Sequence, residues 1–371
     1  MSIVIFLVLL LVLAWIEKWI YDAHWDDGLN VRISFGTDRS VEGGTAELVE
    51  VVEHAGRLPL PWLTVKFQAS RDLVMPDSTN ASVTDYYYRE DIFAISPGER
   101  ITRRLPVTCA KRGLQTVRAI DLLTNDLLMI SRYVGNYSGS AELVVYPRPV
   151  DTSELYFEAR RFMGEIITKR NLQEDPFVFR GVREYVEGDS IRAINWKATA
   201  RSDRPVVNQY ESTTSLSAAI WLCVETAMDP VVAEESIRIA ASVARRLIGD
   251  GIPVSLLSNG TDCITHQVTR ISSGCSPQHA DTVCTALARL DTENNVRRFV
   301  SVAADDKTGE EEFVIVIAPY VKPAMVNFVK EVTEAGREVM WIKPVRADEP
   351  DGENELEGIA NHYIWRVTDE R

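Results

Sequence analysis

LSAAIWLCV, the segment from Leu216 to Val224, decides the fold class of the second half of the chain. A strand with one wet face alternates in polarity, whereas a continuous apolar run suits a strand buried on both faces. Working outward from it, Val231–Ile248 carries Ile237, Ala240, Ala241, Ala244 and Leu247 at helical spacing and closes on Gly249 and Gly251. A strand at Pro253–Leu257, a helix at Pro277–Leu290, a strand at Phe313–Ala318, a helix at Pro323–Ala335 and a strand at Val339–Ile342 follow. Upstream, Glu154–Lys169 is helix-compatible through Leu155, Phe162, Ile166 and Ile167. Strands alternating with helices predict an α/β, Rossmann-type domain over residues 149–371, its mostly parallel sheet covered on both faces. The acidic stretches Asp305–Glu312 and Asp348–Glu357 fall between elements and read as solvated loops.

Ahead of residue 149 the period is two. Val31, Ile33 and Phe35 alternate with Arg32 and Ser34, and Leu63, Val65 and Phe67 alternate with Thr64, Lys66 and Gln68. Similar short runs recur at Ala46–Val52, Asp85–Ile95, Ile101–Thr108, Leu114–Ile120 and Glu142–Tyr146. They are punctuated by Gly43-Gly44, Pro59 to Pro61 and Ser96-Pro97-Gly98-Glu99. Short alternating strands at this spacing predict an antiparallel, immunoglobulin-like β-sandwich over residues 22–148. Tyr86, Tyr87 and Tyr88 form an aromatic run that reads as a strand with one face buried and one exposed, with a contact surface as the alternative. The N-x-S/T triplets at Asn80, Asn136 and Asn259 are treated as chance.

The N-terminus is different again. Ile3–Ile16 is an unbroken apolar run of 14 residues, and Glu17 and Lys18 precede Trp19, Ile20 and Tyr21. Extended to Tyr21 it reaches membrane-spanning length, with Trp15, Trp19 and Tyr21 as an interfacial belt. No basic residue precedes the run and no A-x-A follows it, so residues 1–21 read as a retained anchor rather than a cleaved leader. The whole is thus an α+β multidomain chain: transmembrane helix, sandwich, then α/β domain.

A net charge of −14 repels phosphate backbones and argues against nucleic-acid binding. Five cysteines without C-x-x-C spacing, and scattered histidines, argue against a disulfide framework or a zinc site.

Residues 180–211, RGVREYVEGDSIRAINWKATARSDRPVVNQYE, break the acidic trend. Six basic residues face four acids between Arg180 and Arg204, a local balance of +2. The stretch resembles the domain of unknown function 58 family, whose signature has the form R-x-Y-x-x-G-D-x-x-R-x-I-x-W-x-x-x-A-R followed by a Glu. Arg183, Tyr185, Gly188, Asp189, Arg192, Ile194, Trp196, Ala200, Arg201 and Glu211 match it, with Asn195 beside the Trp. Lys111-Arg112-Gly113 and Val145-Tyr146-Pro147 resemble two further family elements. Asn125-Asp126-Leu127-Leu128 stands where the family usually has D-P-F-G-L, without its proline and glycine. Many members carry two spans, and this chain has one.

The resemblance implies a von Willebrand factor A-like C-terminal half. It also implies a MoxR-type AAA+ ATPase as partner, with other von Willebrand factor A proteins as possible associates, and a cytoplasmic face. An intact von Willebrand factor A site holds Mg²⁺ on oxygen ligands. Here Glu225-Thr226-Ala227-Met228-Asp229 stands for its D-x-S-x-S loop, Ser276 for the second-loop hydroxyl, and Ala318-Pro319 for the acidic third loop. Glu225, Asp229 and Ser276 are the remaining candidate ligands, and no bound cofactor is expected. No G-x-S-x-G, P-loop or G-x-G-x-x-G motif is present. The expectation is a non-enzymatic scaffold, anchored in the cell membrane, that docks its ATPase through residues 183–211 during assembly or maturation of a complex. A metal-dependent adhesion module and a cryptic hydrolase are the alternatives.

Overall fold

A computed structural model of the 371-residue chain describes residues 2–76, 81–83, 86–137, 139–171, 179–186, 194–201, 204–210, 216–225, 228–292, 297–304, 311, 313–349, 356 and 359–367. Two compact units form, Met1–Arg148 with Leu287–Arg289, and Pro149–Ala286 with Leu290–Arg371.

The first unit begins with helix α1 (Ser2–His24). Then come β1 (Leu29–Phe35), β2 (Arg39–Val41), β3 (Thr45–His54), β4 (Leu60–Ala69), β5 (Leu73–Val74) and β6 (Ala81–Val83). After them lie β7 (Tyr87–Ile95), β8 (Glu99–Cys109), β9 (Gly113–Asn125), β10 (Arg132–Tyr137) and β11 (Ala141–Tyr146). One sheet runs β1-β3-β8-β5 and the other β2-β11-β9-β4-β7-β6, with β10 paired to β9. Leu48, Val52 and Val107 of the first sheet share one core with Leu63, Val65, Phe67, Phe93 and Leu122 of the second. Two sheets closing on one apolar core make this a β-sandwich. Alternation is strict along β7, where Tyr87 is inside and Tyr88 exposed, as is Tyr86 just ahead of the strand.

The same alternation carries charge inward. Glu50 of β3 and Arg89 and Asp91 of β7 occupy core-facing positions and are buried. Asp91 accepts from Arg89 Nε at 2.7 Å and from Arg103 Nη1 at 2.6 Å. Burial, and then the Asp91 carboxylate, push Glu50 up to about 8 against the opposing pull of Arg103 and Arg89.

Helix α1 extends three residues beyond the anchor end expected at Tyr21. The reason is packing. Tyr21 and Trp25, one helical turn apart, are both buried in the sandwich core. The Tyr21 hydroxyl donates to Pro59 O at 2.7 Å, and both rings stack on Tyr133 at 6.2 and 6.1 Å. Gly135 allows this approach, since a Cβ there would lie 2.8 Å from the Trp25 ring.

The second unit contains α2 (Ser153–Asn171), β12 (Phe179–Glu184), α3 (Trp196–Thr199), β13 (Val206–Tyr210), β14 (Ala218–Leu222), α4 (Pro230–Gly249), β15 (Val254–Asp262) and β16 (Val268–Gly274). It continues with α5 (Pro277–Ala288), β17 (Leu290–Asp291), α6 (Phe299–Ala303), β18 (Phe313–Ile317), α7 (Pro323–Glu334), β19 (Glu338–Arg346) and β20 (His362–Val367). The sheet order is β16-β15-β14-β18-β19-β20, with β17 on β15. Strands β15, β14, β18, β19 and β20 are parallel, and β16 is antiparallel to β15.

Strand β14 is central and all five of its residues are buried. Ala219 and Trp221 face Phe299 of α6 and Met325, Phe328 and Val329 of α7. On the other face, Phe313 packs against Phe162 of α2 with ring centroids 5.5 Å apart. The Arg337 guanidinium lies 5.2 Å from the Trp221 ring and its Nε donates to Glu311 O, a cation seated on an aromatic face. Asn259, buried within β15, accepts from Val224 N and donates to Val224 O and Arg297 O at 2.7–2.9 Å. This amide ties the chain leaving β14 to β15. The Asn259 triplet is therefore core structure rather than a surface acceptor.

Candidate functional site

The family-like segment forms a small arm. Strands β12 and β13 pair antiparallel, with Arg183 opposite Val207 and Glu184 opposite Val206. Tyr185 N–H donates to Pro205 O, and an isolated bridge joins Ile194 to Val207. Between the strands, Asn195 caps α3: its Oδ1 accepts from Ala198 N–H at 2.9 Å. Thr199 Oγ1 accepts from Val206 N–H at 3.1 Å and closes the turn onto β13. These bonds fix Asn195 and Trp196 locally, as N-capping does at the start of any helix.

The arm presents a distinct surface. Trp196 is 66% exposed, and Val182 and Val186 are also exposed. Arg201 and Arg204 are exposed, and Arg183 is half-buried. Arg204 pairs with Glu184 at 3.0 Å in the open, and Arg183 Nη1 donates to Glu184 O at 3.2 Å. A Trp placed for core packing would be buried, and this one is exposed at the first position of the capped turn. Gly188, Asp189, Arg192 and Glu211 lie outside the described residues.

Of the three candidate metal ligands, Glu225 and Asp229 lie beyond the C-terminal end of β14, and each is paired with a protein cation. Lys322 binds Glu225, and Arg346 binds Asp229 at 2.7 Å. Asp229 also caps α4, accepting from Val231 N–H at 2.8 Å. That bond and the Arg346 guanidinium hold the Asp229 carboxyl below the usual range. The third candidate does not join them. Gly274 pairs with Val254, which pairs with Ala218 at the start of β14, so Ser276 emerges at the opposite end of the sheet. Four strand residues, about 13 Å, separate Ala218 from Leu222 alone. There Ser276 caps α5 by accepting from His279 N–H at 3.0 Å. The expectation that Ser276 shares a site with Glu225 is corrected on this register. Among the described residues no group of three or more His, Cys, Asp and Glu side chains is placed to hold a metal ion.

Lys322 and Arg346 carry the chemistry of this corner and were not singled out in the sequence. Lys322 sits three residues after Pro319, on the loop where a metal-binding relative would need an acid. A cation in place of an anion on that loop was the available signal.

No match is found among the curated proteins. Among solved structures, the CARDB domain of a Pyrococcus furiosus protein is 13% identical, with 32% of this chain and 90% of that one covered at a TM-score of 0.22. A cohesin module from a Clostridium perfringens glycoside hydrolase is 11% identical over 32% and 96%, at 0.25. A non-cellulosomal cohesin from Archaeoglobus fulgidus is 10% identical over 34% and 96%, at 0.22. At such TM-scores the likeness carries no argument for fold or function. Residues 181–317, from within the arm through β18, match the family model described as "Protein of unknown function DUF58", which supports the family that the arginine-rich motif resembles.

Proposed function

We propose that the protein is a membrane-anchored, non-enzymatic interaction protein whose arm, residues 180–211, docks a MoxR-type AAA+ ATPase. The observation that carries this reading is Trp196, which opens a capped helical turn, is 66% exposed, and is accompanied by arginines. Exposed Trp and Arg on a locally rigid element are the residue types that dominate binding energy at interfaces. ATP would be consumed by the partner, since this chain brings no phosphate-binding loop of its own. The parallel sheet and the carboxylates after its central strand support reading the second unit as von Willebrand factor A-like. Lys322 and Arg346 supply the positive charge that a divalent ion would otherwise supply, which weighs against metal-dependent adhesion. Anchoring by α1 is supported by its length and apolar composition. It is also supported by Tyr21 and Trp25, which a cleaved leader would remove from the sandwich core.

The test is co-purification of the full chain with the MoxR-type ATPase encoded in the same genome. Trp196→Ala and Arg183→Glu should abolish capture while leaving the thermal midpoint unchanged. Retained capture by both variants refutes docking through the arm. A collapse in thermal midpoint returns these residues to a structural role.

A further inference from the structure

We infer that the turn between β9 and β10 is a second membrane contact, with Leu127, Leu128, Met129 and Ile130 seated at the headgroup–acyl boundary of the bilayer. The inference rests on reading α1 as a span. These four consecutive residues are 51–66% exposed. Turns facing water are polar, and four apolar side chains in a row at such a position need a non-aqueous neighbour.

The backbone of the turn is prepared for the same environment. Asp126, itself buried, accepts from Ile130 N–H at 2.7 Å and Ser131 N–H at 3.0 Å through its carboxylate. Met129 N–H donates to Asp126 O at 3.1 Å, and Met129 takes a left-handed φ of 55°. Leu128 N–H donates to Glu17 Oε1 of α1 at 3.1 Å. The N–H groups of residues 128 to 131 are therefore all satisfied within the protein while the side chains point outward. Water-free surroundings demand that arrangement of any backbone that enters them.

Position completes the argument. The hydrogen bond to Glu17 ties the turn to α1 just where the apolar run ends at Ile16. Tyr21 already belongs to the sandwich core. Four residues of helix, about 6 Å, separate Glu17 from Tyr21. The headgroup layer is itself only roughly 5–7 Å deep on each side. The sandwich cannot stand clear of the membrane on so short a stalk, and the edge it must press into the lipid is this apolar turn. Trp15 and Trp19 flank Glu17 along α1 and are exposed at the same level, and Trp62, near the start of β4, is exposed at the same end of the sheet as Asn125. Tryptophans at this level are the usual interfacial anchors.

The experiment uses the full chain in lipid nanodiscs, with Cys263 and Cys275 replaced by serine and an environment-sensitive fluorophore on one new cysteine. Leu128→Cys reports the turn and Val8→Cys reports the span. Thr45→Cys, at the far end of β3 and about 30 Å away, reports the aqueous side. The label at 128 should shift to the blue and lose most of its emission to lipids brominated high on the acyl chain, while the label at 45 responds only to iodide in solution. If the label at 128 behaves like that at 45 while the label at 8 is quenched by deep bromines, the span stands and the second contact is refuted. If the label at 8 also faces water, the membrane reading fails and this inference fails with it.

Discussion

Replacing Glu50 by Gln should raise stability at pH 8 and leave it nearly unchanged at pH 5. Glu50 is fully buried, no nitrogen donor reaches its carboxyl oxygens, and the proton it keeps is shared with the Asp91 carboxylate. Three contacts from Arg89 and Arg103 are committed to Asp91, so both arginines act on Glu50 only through space. Burial and the Asp91 carboxylate win, and its pKa rises from 4.5 to about 8. The unfolded chain ionises Glu50 near its ordinary value, whereas the folded chain keeps the proton. Between those two values the folded state binds more protons, so stability falls as pH rises through the window and levels off above it. The interval corresponds to at most ~5 kcal/mol at ~1.4 kcal/mol per pH unit. Local relaxation and the half-exposed Arg103 reduce this, and ~2 kcal/mol is a reasonable expectation for such a site. Gln is neutral at every pH and close in shape, so it removes the linkage without opening a cavity. For a unit of this size ~2 kcal/mol corresponds to about 4–8 °C in thermal midpoint. The assay is thermal unfolding of detergent-solubilised wild type and Glu50→Gln at pH 5, 6.5 and 8. The midpoint difference should grow steadily with pH in favour of the variant. A variant that loses most at pH 8 would mean that Glu50 is ionised in the folded state and paired with Arg103, which refutes the reasoning.

Asn259→Ala leaves Val224 N–H and Val224 O without their partner at a fully buried position, and Arg297 O without its partner at a half-buried one. It should cost about 2–4 kcal/mol, at ~1–3 kcal/mol for each stranded buried group, read as a fall in the denaturation midpoint of the second unit. Asp229→Ala removes the cap of α4 and the partner of Arg346 and should cost about 1–2 kcal/mol. Because the Asp229 pKa is lowered by folding, that contribution is present above the ordinary carboxylate range and fades as pH falls through it. The midpoint gap between wild type and Asp229→Ala should therefore narrow from pH 5 to pH 3. Mg²⁺ or Mn²⁺ added to wild type should leave the thermal midpoint unchanged, because Lys322 and Arg346 already neutralise the carboxylates. A rise in midpoint would restore the metal-dependent reading.

Apolar pattern made much of the architecture legible. The Leu216–Val224 run became the central strand because residues apolar on both sides can only be satisfied between two helical layers. The alternation of Val31–Phe35 and Leu63–Gln68 became sandwich strands because one face is wet. What pattern missed has a common cause. Strand β16 is an edge with a single buried residue along Val268–Gly274, so its sequence needs no apolar run. Strand β10 carries Tyr133, Gly135 and Tyr137 toward α1, and its inward positions are aromatic or bare because they receive a helix rather than a sheet. The polar core positions Glu50, Arg89 and Asp91 look like solvent-facing residues until register shows that they fall on the buried phase of their strands.

The candidate site was legible only where chemistry is local. The cap of α3 by Asn195, and the outward Trp196 beside it, depend on residues within a few positions of one another, so a motif can encode them. The metal-like corner depends on which end of the sheet each loop leaves. The von Willebrand factor A resemblance put Ser276 beside Glu225, which requires both loops to leave the sheet on the same side. An antiparallel β16 inserted after β15 reverses the chain once more and delivers Ser276 to the other end. The reversal is carried by the short turn from Asp262 to Gln267, where Asp262 Oδ1 accepts from Ile264 and Thr265 N–H. A carboxylate folding its own turn is common chemistry and does not announce a change of direction for the sheet. The same ambiguity hid Lys322 and Arg346, which meet Glu225 and Asp229 only because β18 and β19 run parallel to β14. A ligand set carried over from a resemblance is therefore as reliable as the strand directions beneath it, and here one antiparallel edge separates a hydroxyl from two carboxylates.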